Sequence, residues 1–224
     1  MQDLISVIMP VKDGEKYIGE ALDNIKHQDM NVEIIVVDDG STDKTAEIAE
    51  NYGCKVIRNP QSKGQVIAKN QGLDAAKGKY VMFHDHDDVM RENSLSKLYN
   101  ELKSNDSISA VEAKVKDFFS PDIAEVSKKT TAIKENAYYG LFTGAILMKK
   151  NIFDKIGKFP ENIQTGEIIE WQSRMEKKNL VIKKIDMVST DRRIHNTNFG
   201  KTNSVKEFVD YAAILRARLK NRQS

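Results

Sequence analysis

Tyr80-Val81-Met82-Phe83-His84-Asp85-His86-Asp87-Asp88 is the stretch on which the reading of this chain turns. A short strand-like apolar run stops at a cluster that contains three carboxylates. Carboxylates gathered at the end of a strand repel one another, and protonation, basic neighbours or a divalent cation relieves the repulsion. Asp85 and Asp87 stand two positions apart. If extended geometry continued they would point the same way and could share one metal. A solvated acidic loop is the competing reading, and only the surrounding chain separates the two.

Working outward, Leu4-Ile5-Ser6-Val7-Ile8-Met9 is a near-continuous apolar run ended by Pro10, the pattern of a strand buried on both faces. Tyr17, Ile18, Ala21, Leu22 and Ile25 recur at helical spacing and predict an amphipathic helix over residues 15–27. Val32–Val37 is a second buried strand that runs into Asp38-Asp39-Gly40-Ser41. Gly40 permits a tight turn there, and Ser41 or Thr42 is expected to cap the helix reaching Tyr52. Lys55-Val56-Ile57 is a short third strand, and Val66, Ile67, Leu73 and Ala76 stripe the next helix. Gly78 falls where a left-handed helix end is expected. Leu95, Leu98 and Leu102 mark a helix after the acidic stretch. Strands therefore alternate with helices over residues 1–105, which predicts a parallel sheet with helices on both faces. Ligands of such sheets sit beyond the carboxyl ends of the strands. Asp38-Asp39 and Asp85–Asp88 both fall on that edge.

The second half is less regular. Ser109–Val115 and Ala145–Met148 read as strands, residues 117–136 as a polar stretch with a loop at Ser120-Pro121-Asp122, and Leu180-Val181-Ile182 as the start of a further strand. Ile152, Phe153, Ile156 and Phe159 suggest a short helix ended at Gly157, and Ile168, Ile169, Trp171 and Met175 a helix from Gly166 to about Asn179. Ser204-Val205-Lys206-Glu207 matches a capping box and opens a terminal helix with an apolar stripe and a basic end. Three parts follow: a regularly alternating β/α half (1–105), a less regular half (106–203) and a C-terminal amphipathic helix (204–224).

Composition narrows the class. The 224 residues carry a formal net charge of +2, which gives no argument for nucleic acid. One cysteine, Cys54, rules out an internal disulfide, fits a reducing compartment and reads as a small buried hydrophobe. No run approaches the ~20 apolar residues of a membrane helix, and Met1-Gln2-Asp3 lacks a basic signal start. The expectation is a cytoplasmic protein, or one held at the inner face of the membrane through its last helix.

Four ordered motifs then carry a resemblance. Ser6–Gly14 resembles the opening V-S-V-I-I-P-V-Y-N of family-2 inverting glycosyltransferases. Glu33–Asp43 is similar to that family's E-I-I-V-V-D-D-G-S-T-D, Gly64–Leu73 to its G-x-x-x-A-R-N-x-G-L, and Phe83–Asp88 to its F-L-D-x-D-D. The resemblance implies a glycosyltransferase A-type fold, an α/β architecture. In it a Rossmann-like sheet for the nucleotide sugar is continuous with a smaller mixed α/β acceptor side. It also implies a nucleotide-diphosphate sugar donor, with a UDP-sugar first in line, and Mn2+ or Mg2+. Asp87 is then the direct metal ligand, Asp85 a metal or ribose contact, and His195 of Arg192-Arg193-Ile194-His195 a further metal or diphosphate contact, with Arg192 and Arg193 neutralising phosphate. Pro10, Val11, Asp13, Asp38, Asp39, Lys63, Lys69 and Asp85 are expected on the nucleotide sugar. Lys69 stands where the family has Arg, Asp13 where it has Asn and Lys12 where it has an aromatic residue.

The base of an inverting transfer is expected in Gly166-Glu167-Ile168-Ile169-Glu170, where Ile168 replaces the usual Asp. Glu167 and Glu170 both serve chemically, Glu167 being preferred at the helix start. The acceptor is a glycan, a lipid-linked glycan or a peptide. The last helix docks on a membrane, a second subunit or its own domain. A nucleotide-sugar binder without turnover, favoured by Ile168, is one rival. A haloacid-dehalogenase-type phosphatase is another, although its motif belongs near the amino terminus. A dinucleotide oxidoreductase is excluded for want of a Gly-x-Gly-x-x-Gly loop.

Overall fold

Strand β1 (Ile5–Val11) lies at the centre of the parallel region, and all of its residues are buried. Strand β2 (Val32–Asp38) pairs parallel along one side of it, with β3 (Lys55–Arg58) beyond, and β4 (Tyr80–Phe83) pairs parallel along the other side. Alternate residues of β1 feed two cores, as a strand's two-residue period requires. Ile5, Val7 and Met9 pack with α1 (Ile18–Lys26) and α4 (Ser94–Lys103), whereas Ile8 packs with α3 (Gln65–Ala75) and Phe83. The structure is a computed structural model that describes residues 3–123, 128, 133–140, 142–163, 165–196 and 198. The expected helix over 204–224 lies outside the described residues.

Pro10 does not end β1, which continues to Val11. Val11 O accepts from Asp39 N–H on the β2 side at 2.8 Å, and Ile8 O accepts from His84 N–H on the β4 side at 2.9 Å. Strand alternation therefore turns the missing N–H of Pro10 toward β4, which has already ended at Phe83. No ladder bond is lost.

The remaining strands are β5 (Val89–Met90), β6 (Ile108–Phe119), β7 (Ile146–Lys149) and β8 (Val181–Ile194). Among the described residues they complete one sheet in the order β3-β2-β1-β4-β7-β6-β8-β5. The antiparallel β4–β7 pair is the seam that makes the sheet continuous across both halves of the chain. Helices α2 (Thr45–Asn51), α5 (Ile152–Ile156) and α6 (Glu167–Lys177) complete the layers.

Two local expectations are corrected, and β6 runs past Val115 into the polar stretch, to Phe119. Asp117 sits in the strand with its carboxylate accepting from Tyr138 OH at 2.8 Å and lying 3.8 Å from Arg192 Nη1 of β8, so a polar residue is satisfied within the sheet. Helix α2 starts at Thr45, so Lys44 and not Ser41 or Thr42 stands at the cap position, and Asp43 just before it accepts from Thr45 N–H at 3.0 Å. Gly78 does not adopt a left-handed backbone. A Cβ there would meet Leu4 O at 2.7 Å and Ser6 N at 2.8 Å, so the glycine answers a close approach of chains.

Candidate active site

The carboxyl ends of β1, β2 and β4 open onto a cleft of about 1080 Å3. The start of α3, the 3-10 turn Thr143–Ala145, the start of α6 and the end of β8 close its other sides. Of the residues singled out in the sequence, Pro10, Val11, Asp13, Asp39, Lys69, Asp85, Asp87, Glu167 and His195 line this cleft. Asp38, Lys63 and Glu170 are not among its lining residues.

The acidic cluster forms because β4 stops at Phe83 and the chain turns back, Asp88 N–H donating to Asp85 O at 3.4 Å. One side-chain oxygen from each of Asp85, Asp87 and Asp88 falls within 4.8 Å of the others. Burial pushes the Asp85 carboxyl up, and the charge of Asp87 adds to burial against the opposing pull of Lys69. Asp88 is pushed well above the usual carboxylate range by burial and by the charges of Asp87 and Asp85. Burial also pushes Asp87 up, but the hydrogen bond from His195 and the nearby imidazoles outweigh it, so its carboxyl lies below the usual value. His195 Nε2 stands 2.8 Å from Asp87 Oδ2, and its backbone N–H donates to Asn198 Oδ1 at 2.6 Å. Among the described residues these three carboxylates form a group that suits a hard cation such as Mg2+ or Mn2+, with the His195 imidazole against Asp87, and a cation would relieve the crowding of charge. His86 also lines the cleft and packs on Gly14, where a Cβ would meet its ring at 2.5 Å.

Arg193 was expected beside phosphate, and the structure turns it inward instead. Only 5% exposed, it donates from Nε to Asp87 O at 2.9 Å and from Nη2 to Glu20 at 2.6 Å. Its backbone N–H donates to Asp88 Oδ1 at 2.8 Å. The guanidinium lies 4.9 Å from the Tyr17 ring centre and 4.8 Å from that of Phe118. Arg192 is the arginine that lines the cleft. The roles of Tyr17 and Phe118 escape the sequence reading, since each packs on Arg193, far away in the chain.

At the other end, Asp38 accepts from Ser41 N–H at 3.0 Å and so closes its own turn. Asp13 adopts a left-handed φ of 51° and accepts from Thr42 N–H at 2.8 Å, a backbone that Asn and Asp both tolerate. Asp39 is 4% exposed and holds the loop Asn59–Gly64 through four donor groups. Burial pushes its carboxyl up, and these hydrogen bonds more than offset it. Lys63 contributes its backbone N–H to Asp39.

Across the cleft, Lys69 is 4% exposed and forms an ion pair with Glu167, which is 5% exposed. Its ammonium also donates to Thr143 Oγ1 at 3.2 Å. Burial pulls the Lys69 pKa down, and the charges of Glu167 and Asp85 raise it above the usual value. Glu170 instead accepts from Arg174 Nε at 2.8 Å, and Arg174 donates onward to Gly157 O at 3.0 Å and Lys158 O at 2.8 Å. Ile168, buried at 3% exposure, lines the cleft between them. Trp171 is core, fully buried beside Phe153.

A mixed sheet with a nucleotide-type parallel half, and an acidic cluster beside a buried acid in one cleft, defines a glycosyltransferase A-type protein. The sequence model of Glycosyl transferase family 2 matches residues 6–160, and the chain belongs to that family. Glycosyltransferase GlyG of Streptococcus pneumoniae is 38% identical over 112 residues, covering 47% of this chain and 37% of GlyG. TarS of S. aureus, solved in complex with UDP, superposes with a TM-score of 0.68 at 25% identity over 92% of this chain and 64% of that one. The mannosyltransferase PcManGT of Pyrobaculum calidifontis, solved with GDP-Man and Mn2+, superposes at 0.72 and 18% identity over 96% of this chain and 65% of that one. This chain thus spans less than two thirds of each.

Proposed function

We propose that the protein transfers a sugar from a nucleotide-diphosphate donor, a UDP-sugar before others, to an acceptor hydroxyl with inversion. The observation that carries this is the convergence on one cleft of the Asp85–Asp88 cluster, the Asp39 end and the buried Glu167. The UDP bound to TarS and the GDP-Man and Mn2+ bound to the mannosyltransferase support a nucleotide donor and a divalent ion. Asp87 and Asp85 would hold Mn2+ or Mg2+, with His195 against Asp87 as a further ligand. When bound, such a cation stabilises the charge that develops on the departing diphosphate.

The chain's own residues do the rest. Pro10 and Val11 wall the base, and Arg192 faces the cleft as a cation for phosphate. Glu167 takes the proton of the acceptor hydroxyl, and Lys69 fixes the carboxylate that does so. The engagement of Glu170 with Arg174, outside the cleft lining, supports Glu167 over Glu170 in this role. The acceptor hydroxyl belongs to a glycan, a lipid-linked glycan or a peptide.

Ile168 favours a second reading, nucleotide-sugar binding without turnover, because an apolar side chain lines the cleft where the family's Asp is expected. One assay separates them. Purified protein with Mn2+ and a panel of UDP-sugars, with acceptors or water, should release UDP. Tight UDP binding with no release under any condition establishes the binder, and no binding of any nucleotide sinks both.

A further inference from the structure

Resting on the nucleotide and cation reading of the cleft, the geometry points to Tyr17 as a positioning residue that sets the His195 imidazole against Asp87. Tyr17 stands at the cap position of α1, is buried, and lines the cleft. Its ring centre lies 5.0 Å from that of His195, the two planes inclined by 42°. His195 Nε2 lies 2.8 Å from Asp87 Oδ2. A ring nitrogen meets a carboxylate or a cation along one direction in the ring plane, so the orientation of the imidazole decides whether it serves the acidic cluster.

The contacts around Tyr17 close a circuit. Its hydroxyl lies 3.2 Å from Ser120 Oγ and donates to Asp122 Oδ1 at 3.4 Å. Ser120 N–H donates in turn to Ile194 O at 2.9 Å, and Ile194 immediately precedes His195. The residue that anchors the tyrosine ring thus also anchors the strand end that carries the imidazole. On the other side, Tyr17 N–H donates to Gly14 O at 3.1 Å, and Gly14 packs against the His86 ring. The short turn between β1 and α1 therefore bears on His86 and on His195 alike.

His195 needs such support because of where it stands. Strand β8 ends at Ile194, so His195 lies beyond the ladder that orients the side chains of the strand. Asn198 Oδ1 accepts from its backbone N–H at 2.6 Å and holds the main chain, while Tyr17 bears on the ring. Tyr17 has a second neighbour at this corner, the Arg193 guanidinium, 4.9 Å from its ring centre. Arg193 donates to Asp87 O at 2.9 Å and so offers a rival route from Tyr17 to the acidic turn. The two routes part at His195.

A double-mutant cycle separates them. Calorimetry of UDP binding across a Mn2+ series gives the Mn2+ concentration at half-saturation for wild type, Tyr17→Leu, His195→Ala and the double variant. Tyr17→Leu should raise that concentration by about tenfold or more, the usual worth of a group that orients a metal ligand. In the His195→Ala background the same change should move it by less than about threefold, because the group it positions is gone. A shift of equal size in both backgrounds overturns the inference and assigns the effect to Arg193 or to packing at large. Unchanged Mn2+ dependence in Tyr17→Leu, or in His195→Ala alone, overturns it as well. Where Tyr17→Leu does not fold, Tyr17→Phe carries the cycle, since it keeps the ring and frees it from Ser120. A rise of about threefold or more that vanishes in His195→Ala, the scale of one lost hydrogen bond, then supports the inference. A smaller rise, or one that persists without His195, overturns it. Failure of the wild type to bind UDP at any Mn2+ concentration sinks the nucleotide reading itself, and UDP binding indifferent to Mn2+ sinks the cation reading, each before any variant is compared.

Discussion

Lys69 of α3 and Glu167 of α6 form a buried ion pair that joins the first half of the chain to the second across the cleft. The pair explains how lysine is accommodated where the family carries arginine. A single ammonium reaches both Glu167 and Thr143 Oγ1, and no planar fork is needed. Replacing Lys69 with Met leaves the carboxylate buried and unpaired, which costs about 3–5 kcal/mol. Urea denaturation should show that loss, and the double variant Lys69→Met/Glu167→Gln should recover most of it because neither charge remains. Turnover should stay low in the double variant. A single variant within about 1 kcal/mol of wild type would mean that the pair does not hold the two sides together.

Arg193 binds the acidic turn to the end of β8, and its effect should appear in the metal requirement. It holds Asp87 by the carbonyl and Asp88 by the carboxylate while lying between two aromatic rings. Lysine keeps a charge for Glu20 but cannot supply the flat stack or span both contacts. Groups that orient metal ligands are worth about 10–100-fold in metal affinity. The Mn2+ concentration that half-saturates UDP binding should rise by about tenfold or more in Arg193→Lys. A variant with unchanged Mn2+ dependence and lowered stability alone would reduce Arg193 to a packing residue.

Much of this architecture is legible in the sequence for definite physical reasons. The β1 run is apolar at nearly every position because both faces of a central parallel strand are buried, and only Pro10 misleads about where it ends. Asp85 and Asp87 alone read equally as a solvated acidic loop, and they become legible as a site because they share a sheet edge with Asp38-Asp39 and stand among ordered motifs. The lengths of β6 and β8 are not visible. Their polar residues pair across the sheet, as Asp117 does with Arg192 and Lys114 with Asp186, and such pairings leave no local period. Glu167 and Glu170 are alike in sequence. Their separation depends on Lys69 and Arg174, and the first of these stands 98 positions away. Arg193 is the same case. Its neighbours in sequence suggest a phosphate contact, whereas its neighbours in space make it a brace.

Cys54 gives a prediction independent of the site. It is half-buried against the core that holds β1 and α1, and burial pushes its thiol up to about 11, with Lys26 opposing. A raised thiol pKa means that the folded state keeps its proton while the unfolded chain, titrating near ~8.5, loses it. The contribution to stability is therefore complete below pH ~8.5 and fades as pH climbs toward 11. At pH 8 the thiolate fraction is more than about a hundredfold below that of an unfolded chain, so iodoacetamide should label native protein that much more slowly. Labelling at the rate of a free thiol would place Cys54 on an open surface.

The sharpest division in the cleft is between the two first-turn acids of α6. Glu167→Gln keeps the shape of the side chain and an acceptor for Lys69 but removes the proton acceptor. Its kcat should fall by about 10^2–10^4, the usual worth of a general base, while UDP binding in Mn2+ stays close to wild type. Glu170→Gln weakens only the pairing with Arg174, which lies at half-exposed positions and braces the end of α5. That change should cost about 0.3–1 kcal/mol of stability and leave kcat near wild type. The opposite pattern, a large loss in Glu170→Gln with Glu167→Gln still active, would require Arg174 to release its carboxylate into the cleft during turnover. Equal, full activity in both variants would remove each of them as the base.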